Sequence, residues 1–436
     1  MGIFYFIMDI EFIYSKYRAC DFCVSTDTRT LVKGSMYIAL RGENFDGNNY
    51  LFQAKEKGAK CIIASQNSDN LEDVIVVDDT LETLQALANY HISLIDPITI
   101  AITGSNGKTT TKELLNTILS LHAPTLATIG NLNNHIGVPL TILNLRPHHK
   151  YAIIEMGANH MNEIMQLANI ARPKYGLITS IGKAHLEGFE SPENVIKAKK
   201  ELFDYLDQNN GVSFYNLNDE NLRRLFVTHR NHISIGNKNT DFEASIVNLI
   251  PSIRFKLNRR NVECIDFESQ LFGIHNYFNA VCAASIALYL NVPVDLIQSG
   301  LSGYQSRNMR SQLIQYGTNT IFLDAYNANP SSMKLAIESF VEMESRNKIL
   351  IIGEMAELGD YTLVEHQNLI DLILKYNLAQ VCLVGKNFTN CIFPNYFLYF
   401  ENVHECKKWF NSTSYSESLI LIKGSRSTRL ELILEN

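Results

Sequence analysis

Seven consecutive residues, Gly104, Ser105, Asn106, Gly107, Lys108, Thr109 and Thr110, stand in the order that a phosphate-gripping loop needs. Glycines let backbone N–H groups turn inward on an anion, a lysine adds a point charge, and a threonine hydroxyl can enter the shell of a magnesium ion. Gly104 lies only three positions before Gly107, so the loop is a shortened variant of the G-x-x-x-x-G-K-[ST] pattern. Two further residues carry chemistry of the same kind. Glu155 ends the apolar run YAIIE, and a carboxylate is the hard oxygen ligand that magnesium prefers. His185 follows the run GLITSIGKA and offers an imidazole as a second donor. These types predict a nucleotide whose phosphates meet a lysine, a hydroxyl and a carboxylate. A nucleotide-dependent switch would use the same loop, so the loop alone does not separate switching from catalysis.

Surrounding elements must bring these residues together. The runs ITIAIT, YAIIEMG and GLITSIG are joined by helix-length segments, which predicts a parallel sheet whose carboxyl edge holds the loop, Glu155 and His185. Upstream, GSMYIALRG and KCIIAS read as strands with a helix between them, and DDTLETLQALANYHISLIDP as a helix closed by Pro97. The apolar N-terminus MGIFYFIMDIEFIYSKY is interrupted by Asp9 and Glu11 and reads as a strand or core segment without an export signal. Residues 211–270 turn β-rich and read as an insertion on the central domain. Beyond residue 306 strand and helix alternate again, with Met333, Ile337, Phe340 and Val341 on one helical face. The predicted fold class is therefore α/β in three domains. They are a small α/β unit over residues 1–92, a central P-loop-type parallel-sheet ATPase domain over 93–306, and a Rossmann-like C-terminal domain over 307–436.

Composition narrows the partners. Within 436 residues, 46% hydrophobic and 19% charged content is that of a globular chain with large cores, and the net charge of -7 gives no electrostatic reason to expect nucleic acid. No run of about 18 apolar residues predicts a membrane span, and a cytoplasmic protein is expected. The eight cysteines sit mostly in apolar runs and read as buried free thiols; Cys20 and Cys23 form a lone CxxC to which neither metal nor redox work is assigned.

Taken together, TGSNGKTTTK, GNLNNHIGVPLTIL, EMGANHMNEI, GKAHLEGFESPENVIKAKKELF, GIHNYFNAV, LDAYNANPSSM, GEMAELGD and IKGSRSTRLE resemble the Mur ligases of peptidoglycan synthesis. The resemblance spans nearly the whole chain, because residues 26–50 are similar to that family's UDP-substrate domain. Loop, histidine and lysine segments are shared with sister ligases and folylpolyglutamate synthetases. DAYNANP with GEMAELGD is similar to the branch that adds D-alanyl-D-alanine to UDP-N-acetylmuramoyl-tripeptide. The sister that adds the third amino acid, and a folylpolyglutamate-type ligase, remain alternatives.

Residue roles follow only as implications of that resemblance. Lys108 and Thr109 would hold ATP phosphates and a first Mg²⁺ near Glu155, and His185 would ligate a second. Lys199 in KAKKELF aligns with a lysine that such ligases carbamylate; the family's glycine after it is Lys200 here, which leaves the choice between neighbours open. Asn276, Arg310 and Asp324 would reach the nucleotide. Thr28, Arg29, Asn134, Asn327 and Asn329 fall in segments the resemblance assigns to substrate. Met309 replaces the glycine usual before Arg310, so a different local turn is expected there. Asn327 and Asn329 also suit a turn capping a helix at Ser331. A monomer is implied. Phosphorylation by ATP would convert a carboxylate, whose leaving group is oxide, into an acyl phosphate that an amine can attack, with charge neutralisation and domain closure doing most of the catalytic work.

Overall fold

The structure is a computed structural model that describes residues 9–67, 71–226, 231–259, 264–306, 309–345 and 347–435. Three larger sheets organise it, beside a two-stranded ribbon of Arg41–Gly42 and Phe45–Asp46. A four-stranded parallel sheet is built from Val24–Ser25, Met36–Ile38, Cys61–Ala64 and Val74–Val76 in that spatial order. The strands Met36–Ile38 and Cys61–Ala64 are fully buried, which is why both read as continuous apolar runs.

The N-terminal segment departs from the strand expectation wherever it is described. Residues Ile10–Ala19 form a helix, and residues 1–8 of the apolar run lie outside the described residues. Asp9 caps it by accepting from the Glu11 and Phe12 amides, Lys16 and Arg18 occupy its last turn, and Ile13 and Tyr17, one turn apart, are its buried residues. The acidic residues that break the apolar run are thus an N-terminal helix signal.

Nine strands form the central sheet. Thr125–Ala127, Tyr151–Glu155, Ile98–Thr103, Tyr175–Ile178, Val212–Asn216, His232–Gly236 and Phe242–Asn248 follow one another in parallel; Ile253–Arg259 and Ile265–Ser269 then extend the sheet antiparallel. The β-rich stretch is therefore the continuation of the central sheet, which corrects the expectation of an insertion. The antiparallel strand Ile253–Arg259 alternates inward Ile253, Phe255 and Leu257 with outward Arg254 and Lys256, because only one face is covered. The chain leaves Ile98–Thr103 on one side, through Thr125–Ala127 and Tyr151–Glu155, and returns to its other side as Tyr175–Ile178. That reversal makes a crevice at the carboxyl end of Ile98–Thr103, where open α/β sheets bind ligands.

A six-stranded sheet forms the third domain in the order Gln312–Tyr316, Asn319–Asp324, Ser418–Lys423, Asn347–Gly353, Gln380–Val384 and Leu398–Phe400, parallel except for the first strand. Met333, Ile337 and Phe340 of helix Pro330–Val341 are buried as their spacing predicts, while Val341 is half-buried.

Candidate active site

The phosphate loop follows Ile98–Thr103 and opens the helix Lys108–His122. Leu114, Leu115, Ile118 and Leu119 recur at helical spacing and are fully buried, which fixes the helix and points its N-terminus into the crevice. Gly104 and Gly107 take φ of +143° and +84°, and a Cβ on them would come within 2.2 Å of Thr179 Oγ1 and 2.3 Å of Asn279 Oδ1. The loop is held by the segment after Tyr175–Ile178. Ser105 N–H donates to Ser180 O at 2.8 Å, Ser105 Oγ–H donates to Gly182 O at 2.9 Å, and Asn106 N–H donates to Ser180 Oγ at 3.2 Å. Lys108 Nζ donates to Gly104 O at 2.6 Å, and burial lowers its pKa against the opposing charges of Glu155 and Glu357. Thr109 is buried and Thr110 half-buried beside it.

Glu155 is 1% exposed at the end of its strand. Its Oε1 accepts from Asn133 Nδ2 at 2.8 Å, while Oε2 has no hydrogen-bond partner and lies 3.6 Å from Lys112 Nζ. A buried carboxylate oxygen without a donor is a costly feature unless a cation faces it. Lys112, 2% exposed, supplies part of that charge and was not singled out by sequence reasoning.

His185 has φ of +51°, and its Nδ1 is paired with the Glu357 carboxylate from the third domain. Only Nε2 is left to face another ligand, and Glu357, within GEMAELGD, lines the same cavity although nothing in its local sequence marks it. Lys199, on the helix Pro192–Gln208, is 1% exposed with Nζ 3.4 Å from Ala158 O and 5.4 Å from the centre of the Phe189 ring. Burial pushes its pKa down to about 7, with the charge of Lys108 adding to the fall. Lys200 instead pairs one turn along with Asp204 at the surface.

From the third domain, Asp324 Oδ2 meets Lys423 Nζ at 2.5 Å and its Oδ1 accepts from Ser311 N–H at 3.1 Å. Burial would raise this carboxyl, and Lys423 with these hydrogen bonds more than offsets it, so its pKa is lowered. Arg310 lies 3.7 Å over the Tyr326 ring. Met309 takes φ of +57°, so losing glycine has not removed a left-handed residue from this turn, at a cost of about 1 kcal/mol. Asn329 caps the helix Pro330–Val341, which starts one residue ahead of the expected Ser331, and also donates from Nδ2 to Asn106 Oδ1 at 2.8 Å. A capping residue of one domain thus touches the phosphate loop of another. Asn327 Oδ1 accepts from Ala328 N–H, and Asn134 Oδ1 accepts from the Ile136 and Gly137 amides. Asn276 is 1% exposed and donates to Phe272 O; its neighbour His275 contacts Ser311 Oγ at 3.2 Å and is pushed down to about 4 by burial.

These residues share one cavity of about 620 Å³, lined by Ser105 to Thr110, Asn134, Glu155, His185, Asn276, Arg310, Asp324, Asn327, Asn329, Glu357 and Lys423 among others. Lys199 lies behind its wall at Ala158. Thr28 and Arg29 are not part of it. Thr28 donates to Gln53, and Arg29 is 86% exposed and paired with Asp27, beside a smaller cavity of about 230 Å³ lined by Asp27, Thr30 and Leu143. Among the described residues no group of three or more His, Cys, Asp or Glu stands together as a metal site, and no helix is long and apolar enough to cross a membrane.

Comparison with known proteins agrees with this architecture. Residues 23–91 match the Mur ligase family catalytic domain, 102–287 the Mur ligase middle domain, and 309–426 the Mur ligase glutamate ligase domain. A UDP-N-acetylmuramoyl-tripeptide--D-alanyl-D-alanine ligase of Buchnera aphidicola is 36% identical over 94% of this chain and 91% of its own length. The crystal structure of MurF from Acinetobacter baumannii superposes with a TM-score of 0.86 at 33% identity, covering 94% of this chain and 92% of that one. A MurF ligase from Thermotoga maritima, solved with ADP, shares the fold with a TM-score of 0.85 at 24% identity, covering 95% of this chain and 96% of its own.

Proposed function

The chain belongs to the Mur ligase family, and from that premise we propose that it is the ATP-dependent ligase that joins D-alanyl-D-alanine to UDP-N-acetylmuramoyl-tripeptide, in the cytoplasm. The observation that carries this reading is the shared cavity. The phosphate loop of the central domain and Arg310, Asp324 and Asn329 of the third line one space, so transfer from nucleotide to carboxylate can occur where both are held. ATP phosphates sit at the loop and the N-terminus of Lys108–His122. Lys108 steadies the transferring group, and the docked third domain excludes water that would hydrolyse an acyl phosphate.

The donor set fits magnesium. Glu155 Oε2, buried and without a hydrogen-bond donor, and the Thr109 hydroxyl would hold the ion together with phosphate oxygens; His185 Nε2 would serve a second ion. Magnesium supplies neutralisation of the phosphates when bound. Lys199 is the residue suited to carbamylation. An amine with a pKa of about 7 is about half neutral at pH 7, where an ordinary lysine is almost wholly protonated, and its lone pair can form an N–C bond to CO₂ with loss of one proton to solvent. Lys200 is instead partly exposed, with its Nζ engaged by the Asp204 carboxylate.

Phosphate release by the purified protein should require ATP, Mg²⁺, the UDP-tripeptide and the dipeptide together. Release indifferent to the dipeptide, or supported equally by a free amino acid with a shorter UDP-peptide, would overturn the assignment. ¹³C-labelled bicarbonate should give a carbamate resonance that is lost in Lys199→Met and kept in Lys200→Ala.

A further inference from the structure

Between the phosphate loop and His185, the segment Ser180–Ala184 faces the third domain, and at its centre Lys183 reaches across the domain boundary. Lys183 Nζ donates to Glu365 Oε1 at 2.6 Å. Glu365 is 5% exposed in the helix Thr362–Ile373, whereas the Lys183 side chain is 48% exposed. We infer that Lys183–Glu365 is a closure latch, and that both are positioning residues that hold the third domain docked on the phosphate-loop segment.

The geometry around the pair requires close docking. Lys183 N–H donates to Ser331 Oγ at 3.1 Å, in the first turn of the third domain's helix Pro330–Val341. A Cβ on Gly182 would lie 2.4 Å from that same Ser331 Oγ, so the Ser331 side chain packs directly on Gly182 and would have to shift for any larger residue. Gly182 in turn exchanges hydrogen bonds with Ser105 of the phosphate loop. A third-domain carboxylate is therefore tied, through one short segment, to the backbone that cradles the phosphates.

A carboxylate this buried is unfavourable unless a cation meets it. Separation of the domains removes Lys183 from Glu365, so the pair weights the equilibrium toward the docked state, and cavity residues from the third domain face the loop only in that state. Apparent nucleotide affinity is the intrinsic affinity scaled by the docked fraction, so loosening the latch raises KM for ATP while leaving kcat at saturation nearly intact.

The kinetic arm rests on the ligase reading, and the scattering arm does not. Small-angle X-ray scattering of the protein without added nucleotide, at low and high salt, gives the radius of gyration of wild type, Glu365→Gln, Lys183→Met and the charge exchange Lys183→Glu with Glu365→Lys. The single variants are expected to expand, to raise KM for ATP about three- to tenfold, and to keep kcat within about twofold; the exchange is expected to recover wild-type compactness and KM in part. Wild-type compactness and KM in both single variants would overturn the latch. A fall in kcat at unchanged KM, or an exchange no better than either single variant, would overturn it too. Should no variant show ligation and wild type show none either, the reading of function fails while the scattering still decides the latch.

Discussion

Lys199→Met exchanges a buried amine for an apolar side chain of similar length, and the structure fixes the sign of its effect on stability. Burial lowers the lysine pKa from 10.5 to about 7, so between those values the unfolded chain binds more protons than the folded one and stability rises with pH. At 1.36 kcal/mol per pH unit the cost of keeping this amine buried is about 5 kcal/mol at its largest, fully present below pH 7 and gone above pH 10.5. Carbonyl contact at 3.4 Å, the Phe189 ring and local relaxation reduce it, and a gain of about 2–4 kcal/mol for Lys199→Met at pH 6 is the working expectation. Urea unfolding in CO₂-free buffer at pH 6, 7.5 and 9 measures it, followed by a probe on the central domain because three domains need not unfold together. The variant should exceed wild type most at pH 6, approach it by pH 9, and have no ligase activity at any pH. A variant less stable than wild type at pH 6, or a difference independent of pH, would refute the claim that the amine is held neutral by burial.

Four other perturbations separate local roles. Gly107→Ala places a Cβ 2.3 Å from Asn279 Oδ1 at a φ of +84°, so it should lose at least about 1–2 kcal/mol of stability and weaken ATP binding at least tenfold by calorimetry. Asn329→Ala removes both a helix cap and the bond to Asn106; thermal unfolding should register about 1 kcal/mol, and KM for ATP should rise. Lys200→Ala breaks only a surface pair one helical turn long, so a stability change within about 0.5 kcal/mol and near-normal turnover are expected, and loss of turnover would exchange the roles of the two lysines. Met309→Gly relieves a left-handed torsion, and a loss of stability on denaturant titration would show that the Met309 side chain, which meets Arg426 Nη1 at 3.4 Å, outweighs the strain.

Legibility of the site in the sequence followed the range of the interaction. The loop residues 104–110, Glu155 and His185 were readable because each ends or follows an apolar strand, and a parallel sheet sends all such ends to one edge. Nothing local marks Lys112, Lys183, Tyr326, Glu357 and Lys423, although they stand in or beside the family motifs. A lysine or glutamate in a helix or loop reads as solvated until a partner far along the chain is known to face it. The resemblance assigns Thr28 and Arg29 to substrate, and the structure sets them beside the smaller cavity, apart from the phosphate loop.

By itself the sequence determined the three α/β units, the strand-loop-helix at residues 98–122 and the family, because apolar periodicity, glycine torsion and motif spacing are local properties. Only the tertiary structure decided that residues 211–270 prolong the central sheet, since pairing partners of a strand are not written in the strand. It alone also decided which of two adjacent lysines is buried. One helical residue turns its neighbour about 100° around the axis, so Lys199 points into the core behind Ala158 while Lys200 meets Asp204 at the surface. The cavity itself is of the same kind: Asn106 meets Asn329, and His185 meets Glu357, only where one domain rests on another.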